Sequence, residues 1–336
     1  MLTRRLIIIA AILFTSGAYA QGTAKVPCDR YCLQNYVDRY MDAMLADKPT
    51  DDLFARGIKF TENGVRLPLG NEGLWYDMSG KGHYKFYVPD IEAQQVAFIG
   101  TVRVGGKSAT DGTLVPIALR LKIVNKLITE AEQIVIRPEQ SLRGGNNNNS
   151  RFPPAGETID KLGSPDKIYS QIVPVDKRPS REEMIKTANY YFTGMQNNDG
   201  KGYYPFADDC NRLENGMQTT NVPLKPGQKM PDPKTAKSYS ASWSCKQQFE
   251  SGLLNIVTRI RDRRFVAVDR ERGIVFAFGF FDHRTINWTW QIAELFKVQD
   301  GLIHRIEAVL QRCPYGMNSG WSTYEQGISD KMQIIE

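Results

Sequence analysis

The sequence predicts an α+β protein made of two tandem units, each a strongly curved antiparallel sheet wrapped by helices. Three observations support this prediction: an N-terminal export signal, a length that exceeds one hydrophobic core, and an internal duplication. The chain has 336 residues, and single cores stop growing at about 250–300 residues. Two domains are therefore expected.

Residues 1–20 have the layout of a secretory signal peptide. Arg4 and Arg5 precede an apolar run at 6–14, and small residues at 18 and 20 form a cleavage site. The run is shorter than the ~20 residues needed to cross a bilayer, although an uncleaved anchor is the alternative. The mature protein is expected to be periplasmic or secreted, with no membrane insertion after cleavage.

The charge pattern argues against nucleic acid as a partner. The formal charge is +6, or +4 without the signal segment, and no interleaved basic and aromatic stripe is present. Nucleic-acid binding is therefore not expected.

All five cysteines lie in the mature chain, where an oxidising compartment favours disulfides. We expect a Cys210–Cys245 bridge, because both residues lie in the second unit and flank an insertion. The odd count leaves one thiol among Cys28, Cys32 and Cys313.

The internal duplication begins with an amphipathic helix in each half. Tyr40 aligns with Tyr191 and Met44 with Met195, at an offset of 151 residues. A Glu-Asn-Gly motif follows at 62–64 and again at 214–216, at an offset of 152. Matching segments in the same order indicate a repeat.

The end of each unit matches without a gap. Residues 117–137 align with residues 292–312 at an offset of 175, with identities that include Glu132/Glu307. Asn125-Lys126 and Asp300-Gly301 separate apolar runs, which predicts a hairpin in each unit.

These matches give a domain plan of a first unit at 28–140, a linker at 141–180, a second unit at 181–320 and a C-terminal tail at 321–336. Residues 168–175 of the linker are expected to dock as an extra strand.

The arrangement of a leading helix followed by antiparallel strands ending in a hairpin resembles the nuclear transport factor 2-like superfamily. The motifs at 60–64 (FTENG), 73–75 (GLW) and 120–123 (RLKI) look like an exported, tandem-unit branch found in fungi and bacteria. That superfamily includes polyketide-cyclase-like and ketosteroid-isomerase-like enzymes. The resemblance implies cone-shaped units that bind small hydrophobic molecules. It also implies cofactor-free reactions, whereas members without activity serve as binding or dimerisation modules.

His283 is the first candidate catalytic residue. Period-two alternation places Val275, Ala277, Gly279, Phe281 and His283 on one face of a strand. Small residues that end in a histidine suit a cavity wall with a titratable group at its rim. The alternative is a histidine exposed at a hairpin end.

Glu294 is the second candidate. Alternation places it on a strand face with Trp288, Trp290 and Phe296, and the repeat aligns it with Leu119. An acid on an aromatic face needs a buried partner or has a raised pKa, and either suits a general acid or base. The alternatives are a salt bridge with an arginine such as Arg264 and an edge strand whose face is exposed.

Several further residues are predicted to contact a substrate, each with a structural role as the alternative. They are Arg264, Tyr191, Trp288, Trp290, Glu214 and Asn215. No metal-ligand cluster, P-loop or dinucleotide fingerprint is present, so neither a metal nor another cofactor is expected.

The sequence therefore favours a cofactor-independent lyase or isomerase that acts on a small hydrophobic, aromatic molecule. A non-catalytic exported binding protein and an assembly module are the alternatives, and a homodimer is kept as an option.

Overall fold

Two mixed β-sheets dominate the computed structural model, which describes residues 27–138, 154–254 and 257–335. The described helices are α1 (Arg30–Leu45), α2 (Leu74–Asp77), α3 (Ala155–Asp160), α4 (Arg181–Asn197), α5 (Cys245–Glu250) and α6 (Tyr324–Ile328). The described strands of the first sheet are β1 (Phe54–Glu62), β2 (Val65–Arg66), β3 (Met78–Asp90), β4 (Gln95–Val104), β5 (Thr113–Val124) and β6 (Leu127–Val135). Those of the second sheet are β7 (Phe206–Glu214), β8 (Met217–Gln218), β9 (Arg259–Asp269), β10 (Ile274–His283), β11 (Trp288–Gln299), β12 (Leu302–Pro314) and β13 (Met332–Ile334).

The two sheets have the same strand order. The first sheet is β2-β1-β6-β5-β4-β3, and the second is β8-β7-β12-β11-β10-β9 with β13 added beside β9. In each sheet the leading long strand pairs in parallel with the last strand of the unit, β1 with β6 and β7 with β12. The remaining neighbours pair antiparallel, except that β13 runs parallel to β9.

The expectation of two strongly curved antiparallel cones wrapped by helices is wrong. Both sheets are mixed, and neither is strongly curled or closed around an interior. The physical reason is that each sheet is buried on two faces, one against its own long helix and one against the other sheet. A face that packs on a second sheet must stay open enough to match it. The protein is α+β only in a loose sense.

The hydrophobic residues form three layers. Side chains of α1 pack on the outer face of the first sheet, and side chains of α4 pack on the outer face of the second. The middle layer joins the two inner faces, with Phe86 and Ile99 from the first sheet and Phe276 and Phe278 from the second. The order of layers is thus helix, sheet, sheet, helix.

Local sequence explains where these elements begin and turn. Ser180 and Glu183 form a capping box that starts α4. The Glu-Asn-Gly motifs are two-residue hairpins, in which Asn63 and Asn215 have φ of 51° and 49° and each following glycine has φ of 78°. Positive φ at both central residues is the turn that suits twisted strands.

The two longer hairpins predicted from the sequence are confirmed. Val124 pairs with Leu127 around Asn125-Lys126, and Gln299 pairs with Leu302 around Asp300-Gly301. The repeated ends of the two units are therefore β5-β6 and β11-β12.

The segment predicted as an extra strand contains two short 3₁₀ helices instead, Lys167–Ser170 and Val175–Lys177. The predicted signal peptide and residues 141–153 of the predicted linker lie outside the described residues. The tail returns to the first unit, where Trp321 Nε1 donates to Thr61 Oγ1 at 2.8 Å.

The predicted Cys210–Cys245 disulfide is present, and Cys28–Cys32 forms a second bridge. The remaining thiol, Cys313, is buried. Disulfides are compatible with an exported protein. Among the described helices, none is both long and apolar enough to span a membrane.

Candidate functional site

Glu294 lies in the middle of β11, on the sheet face that α4 covers. Its neighbours across the sheet are Ala277 of β10 and Ala308 of β12, which bring no polar group to it. The side chain is buried, and neither carboxyl oxygen has a hydrogen-bond partner among the described residues. Burial raises the pKa of Glu294 to about 8, and the negative charge of Glu214 adds to the rise. At neutral pH the carboxyl is therefore mostly protonated.

Arg212 of β7 supplies a buried positive charge to the same face. Its Nε donates to Thr219 Oγ1 at 2.9 Å and lies 3.0 Å from a Glu214 oxygen, while Nη2 donates to Gln248 Oε1 at 2.8 Å. Its other terminal nitrogen, Nη1, is buried and has no partner in the part of the chain that the structure describes. The positive charge lowers the pKa of Glu294 and partly offsets the effect of burial. The face thus contains an unpartnered acid and an unpartnered guanidinium nitrogen.

The disulfide next to Arg212 holds this arrangement together. Cys210 of β7 is bonded to Cys245, the first residue of α5. Gln248, one turn further along α5, accepts from Arg212 and donates to the Thr219 carbonyl at 2.7 Å. The bridge therefore fixes the helix that orients Arg212.

Tyr191 of α4 lies over the same region and is fully buried. Its ring contacts Phe249 at 5.2 Å and Phe296 at 5.3 Å between centroids. Its hydroxyl is near enough to lower the pKa of Glu294, but it does not reach hydrogen-bonding geometry with either carboxyl oxygen. Burial in turn raises the pKa of Tyr191 far above its ordinary value. Aromatic rings thus lie over the face of the sheet that holds Glu294.

His283 lies on the same face but at its far end. It pairs with Trp288, whereas Glu294 lies six residues further along β11, which is about 20 Å at a strand rise of ~3.3 Å per residue. The His283 ring stacks on Trp288 at 4.1 Å and meets Trp290 edge-on at 4.4 Å. Burial lowers the pKa of His283, and both ring nitrogens lack a partner among the described residues. His283 and Glu294 cannot act on one reacting atom.

Two other predicted contacts are engaged elsewhere. Arg264 lies on the opposite face of the second sheet, where both terminal nitrogens donate to Glu132 of the first unit at 2.7 Å. The side chain of Asn215 accepts from and donates to the backbone of Leu310, each at 3.0 Å. Asn63 does the same with Val135 in the first unit. This agrees with a structural role for the Asn of the Glu-Asn-Gly motif.

The structure therefore brings together Glu294, Tyr191 and Glu214, and adds Arg212 and Gln248. Sequence reasoning did not place these last two in the site. The signal for Arg212 was present, because the repeat aligns it with Phe60, just as it aligns Glu294 with Leu119. No comparable signal marks Gln248, which lies on α5, just after the insertion in the second unit.

No cluster of three or more histidine, cysteine, aspartate or glutamate side chains among the described residues could hold a metal ion. Of two open grooves, one of about 550 Å³ lies on the first unit, and one of about 360 Å³ lies between the first sheet and α3. Neither is lined by a predicted site residue.

Comparisons with known proteins add one family match. Residues 177–310 match the profile of a domain of unknown function (DUF8021). That segment contains Tyr191, Arg212 and Glu294. No curated protein matches the chain.

Among solved structures, the chain is similar to a de novo designed protein with a curved β-sheet. The identity is 16%, over 40% of this chain and 88% of the designed one, with a TM-score of 0.26. A likeness this weak carries no argument about fold. The nuclear transport factor 2-like assignment stays a prediction.

Proposed function

We propose that the second unit binds a small hydrophobic molecule against Glu294 and transfers a proton on it without a cofactor, as a lyase or isomerase does. The observation that supports this proposal is the buried Glu294 carboxyl, whose two oxygens lack partners among the described residues. Arg212, whose charge acts on that carboxyl, likewise has an unpartnered terminal nitrogen, Nη1. Buried polar groups in proteins are nearly always paired, so an unpaired set in one place needs a ligand or water to complete it.

The chemistry of these groups suits an oxygen atom of a substrate. A protonated Glu294 can donate one hydrogen bond, and Nη1 of Arg212 can donate another. A carboxyl whose pKa is about 8 also exchanges its proton readily near neutral pH, as a general acid or base requires. The aromatic rings around Tyr191 favour an apolar, aromatic body for the rest of the molecule.

The role of His283 in this proposal is limited to the end of the same face, where His283 is buried and Trp288 and Trp290 are partly exposed. Together with Trp288 and Trp290 it would contact a ligand there, but it would not share the proton transfer. Glu294 is the single acid or base, and Arg212 is its positioning partner.

A screen tests the proposal directly. The mature protein is incubated with aromatic and terpenoid compounds at pH 7, binding is measured by thermal shift, and hits are analysed for products and for deuterium uptake from D₂O. We expect Glu294→Gln to keep binding and to lose at least ~100-fold in turnover, in line with the usual contribution of a general acid or base. Glu307→Gln, a second buried carboxyl on the other face of the sheet, is the matched control and should keep its turnover.

Each other outcome is decisive. Binding with no deuterium uptake or product in the wild type supports the non-catalytic exported binder. Hits whose thermal shift is unchanged in both Glu294→Leu and Arg212→Met place the ligand elsewhere and overturn the proposed site. If no compound binds, the assembly module is the candidate function that remains, and the packing of the two inner sheet faces favours it.

A further inference from the structure

The first residue of each long helix forms an ion pair with the opposite unit. Arg30, which starts α1, donates from both terminal nitrogens to Asp269 of β9, each at 2.7 Å. Arg181, which starts α4, pairs with Asp90 of β3. Asp90 and Asp269 are themselves equivalent, because each ends the first strand of the corresponding hairpin. One contact therefore occurs twice, with the units exchanged.

A second pair of equivalent residues also crosses between the units. Glu132 and Glu307, aligned in the repeat, lie on β6 and β12. Glu132 accepts two hydrogen bonds from Arg264 of β9, and Glu307 accepts one from the Tyr84 hydroxyl of β3 at 2.5 Å. The glutamates are equivalent, whereas their partners differ but stand on equivalent strands.

The apolar residues between these pairs also come from matching positions. Ala118 and Ala293 are aligned, as are Ile134 and Val309, and all four belong to the middle layer. An interface in which residue i of one half meets residue j of the other, and the reverse, is the isologous interface of a two-fold dimer.

We infer that the two units form an internal dimer, related by a pseudo-two-fold axis and joined by one chain. The surface is the inner face of each sheet, and the partner that it fits is the other copy of the repeat. Arg30, Arg181 and their aspartates fix the relative orientation of the units. The first unit is therefore the permanent partner of the unit that holds the polar site. It has Phe60 and Leu119 where the second unit has Arg212 and Glu294.

Cutting the folded chain tests this inference. A specific protease site is inserted in the run 146–149, and the purified protein is cleaved after folding. We expect the two fragments to elute together at the volume of the uncut protein and to unfold in one transition. The uncut insertion variant is the control. Fragments that separate at physiological salt and unfold in two transitions would overturn the internal dimer.

Charge reversal tests the reciprocity. Arg30→Glu and Arg181→Glu in the full chain are expected to lower Tm by similar amounts, about 6 °C or more, because each leaves a buried aspartate without its partner. Arg39→Glu, in a solvent-exposed pair with Asp52, should change Tm by less than about 2 °C. A large loss for one of the two buried arginines and none for the other contradicts the proposed equivalence.

Discussion

The interior of the first unit contains a closed polar network. Tyr40 donates to Gln133 at 2.9 Å, Gln133 donates to Glu62 at 2.9 Å, and Arg137 pairs with Glu62 at 2.7 Å. None of these four side chains has a buried polar atom without a partner. The interior of the second unit is built on the same repeat but is not closed. Within residues 27–138, 154–254 and 257–335, its Glu294 and Arg212 both end in atoms without a partner.

The difference follows from a few substitutions between the copies. Ala308 stands where the first unit has Gln133, so the second unit lacks the amide that links tyrosine to glutamate. Arg212 and Glu294 replace two apolar residues. In the two equivalent interiors, the polar groups of the first unit are thus hydrogen-bonded to one another, whereas Glu294 and Arg212 of the second unit are not. Natural proteins break local rules of this kind most often where function requires it.

The strongest test of this comparison exchanges the residues at two equivalent positions, Leu119 in the first unit and Glu294 in the second. Leu119→Glu places a carboxyl in the apolar layer of the first unit, where Leu119 is fully buried, and should cost about 4 kcal/mol of the free energy of unfolding. Glu294→Leu restores the apolar residue in the second unit and should stabilise it by about 1 kcal/mol at pH 8. Urea unfolding measures both.

Leu119→Met is the control for the first change, and it should cost less than about 1.5 kcal/mol. If Glu294→Leu is instead as destabilising as Leu119→Glu, Glu294 has a structural partner and the contrast between the interiors disappears.

The disulfides give a second contrast. The Cys210–Cys245 bridge closes a separation of 35 residues and the Cys28–Cys32 bridge one of 4. Loop-closure entropy then gives about 4 kcal/mol for the first and about 2 kcal/mol for the second. Cysteine-to-serine pairs, each compared by urea unfolding, should differ in that order. Equal losses would contradict the loop-closure explanation, because the longer loop would then contribute no more than the shorter one.

Much of the fold could be predicted from the sequence. The repeat, the leading helices, the hairpins at 125–126 and 300–301, and the Cys210–Cys245 bridge all follow from local patterns. The alternation of Glu294 with Trp290 and Phe296 also placed these residues on one face, as the structure has them.

The shape of the sheets could not be predicted in this way. Alternation tells which residues share a face, but not whether the opposite face meets solvent, a helix or another sheet. Phe276 and Phe278, for example, lie on the face of β10 opposite to His283, and alternation alone does not show that a second sheet covers that face. Arg264 was misplaced for the same reason, since its partner Glu132 is 132 residues away in the chain.

A pH titration of stability sharpens the comparison further. Burial holds the pKa of Glu294 near 8 in the folded protein, against an ordinary value of 4.5. Between these values the folded chain keeps a proton that the unfolded chain has lost, so stability falls as pH rises. The expected loss through Glu294 is up to about 3 kcal/mol between pH 5 and 7.5.

Glu294→Gln should remove that part of the slope, as followed by urea unfolding at several pH values. Glu250→Gln, which changes a half-exposed carboxylate on α5, serves as the control and should leave the slope unchanged. An identical slope in wild type and Glu294→Gln would mean that the carboxyl is already ionised at pH 5, and the proposed acid would be lost.

The smallest expected effect comes from two equivalent glycines in the second strand of each hairpin. A methyl group at Gly100 would lie 2.3 Å from the Phe98 ring and 3.1 Å from the Tyr84 carbonyl oxygen, whereas one at Gly279 would meet nothing closer than 3.6 Å. Gly100→Ala should therefore cost about 1–3 kcal/mol through overpacking, and Gly279→Ala should be neutral or stabilising by up to about 1 kcal/mol. Thermal unfolding of the two variants measures the contrast. A loss at Gly279 as large as that at Gly100 would show that the Glu294 face of the second sheet is packed as tightly as its counterpart, with no room beside β10 for a bound molecule.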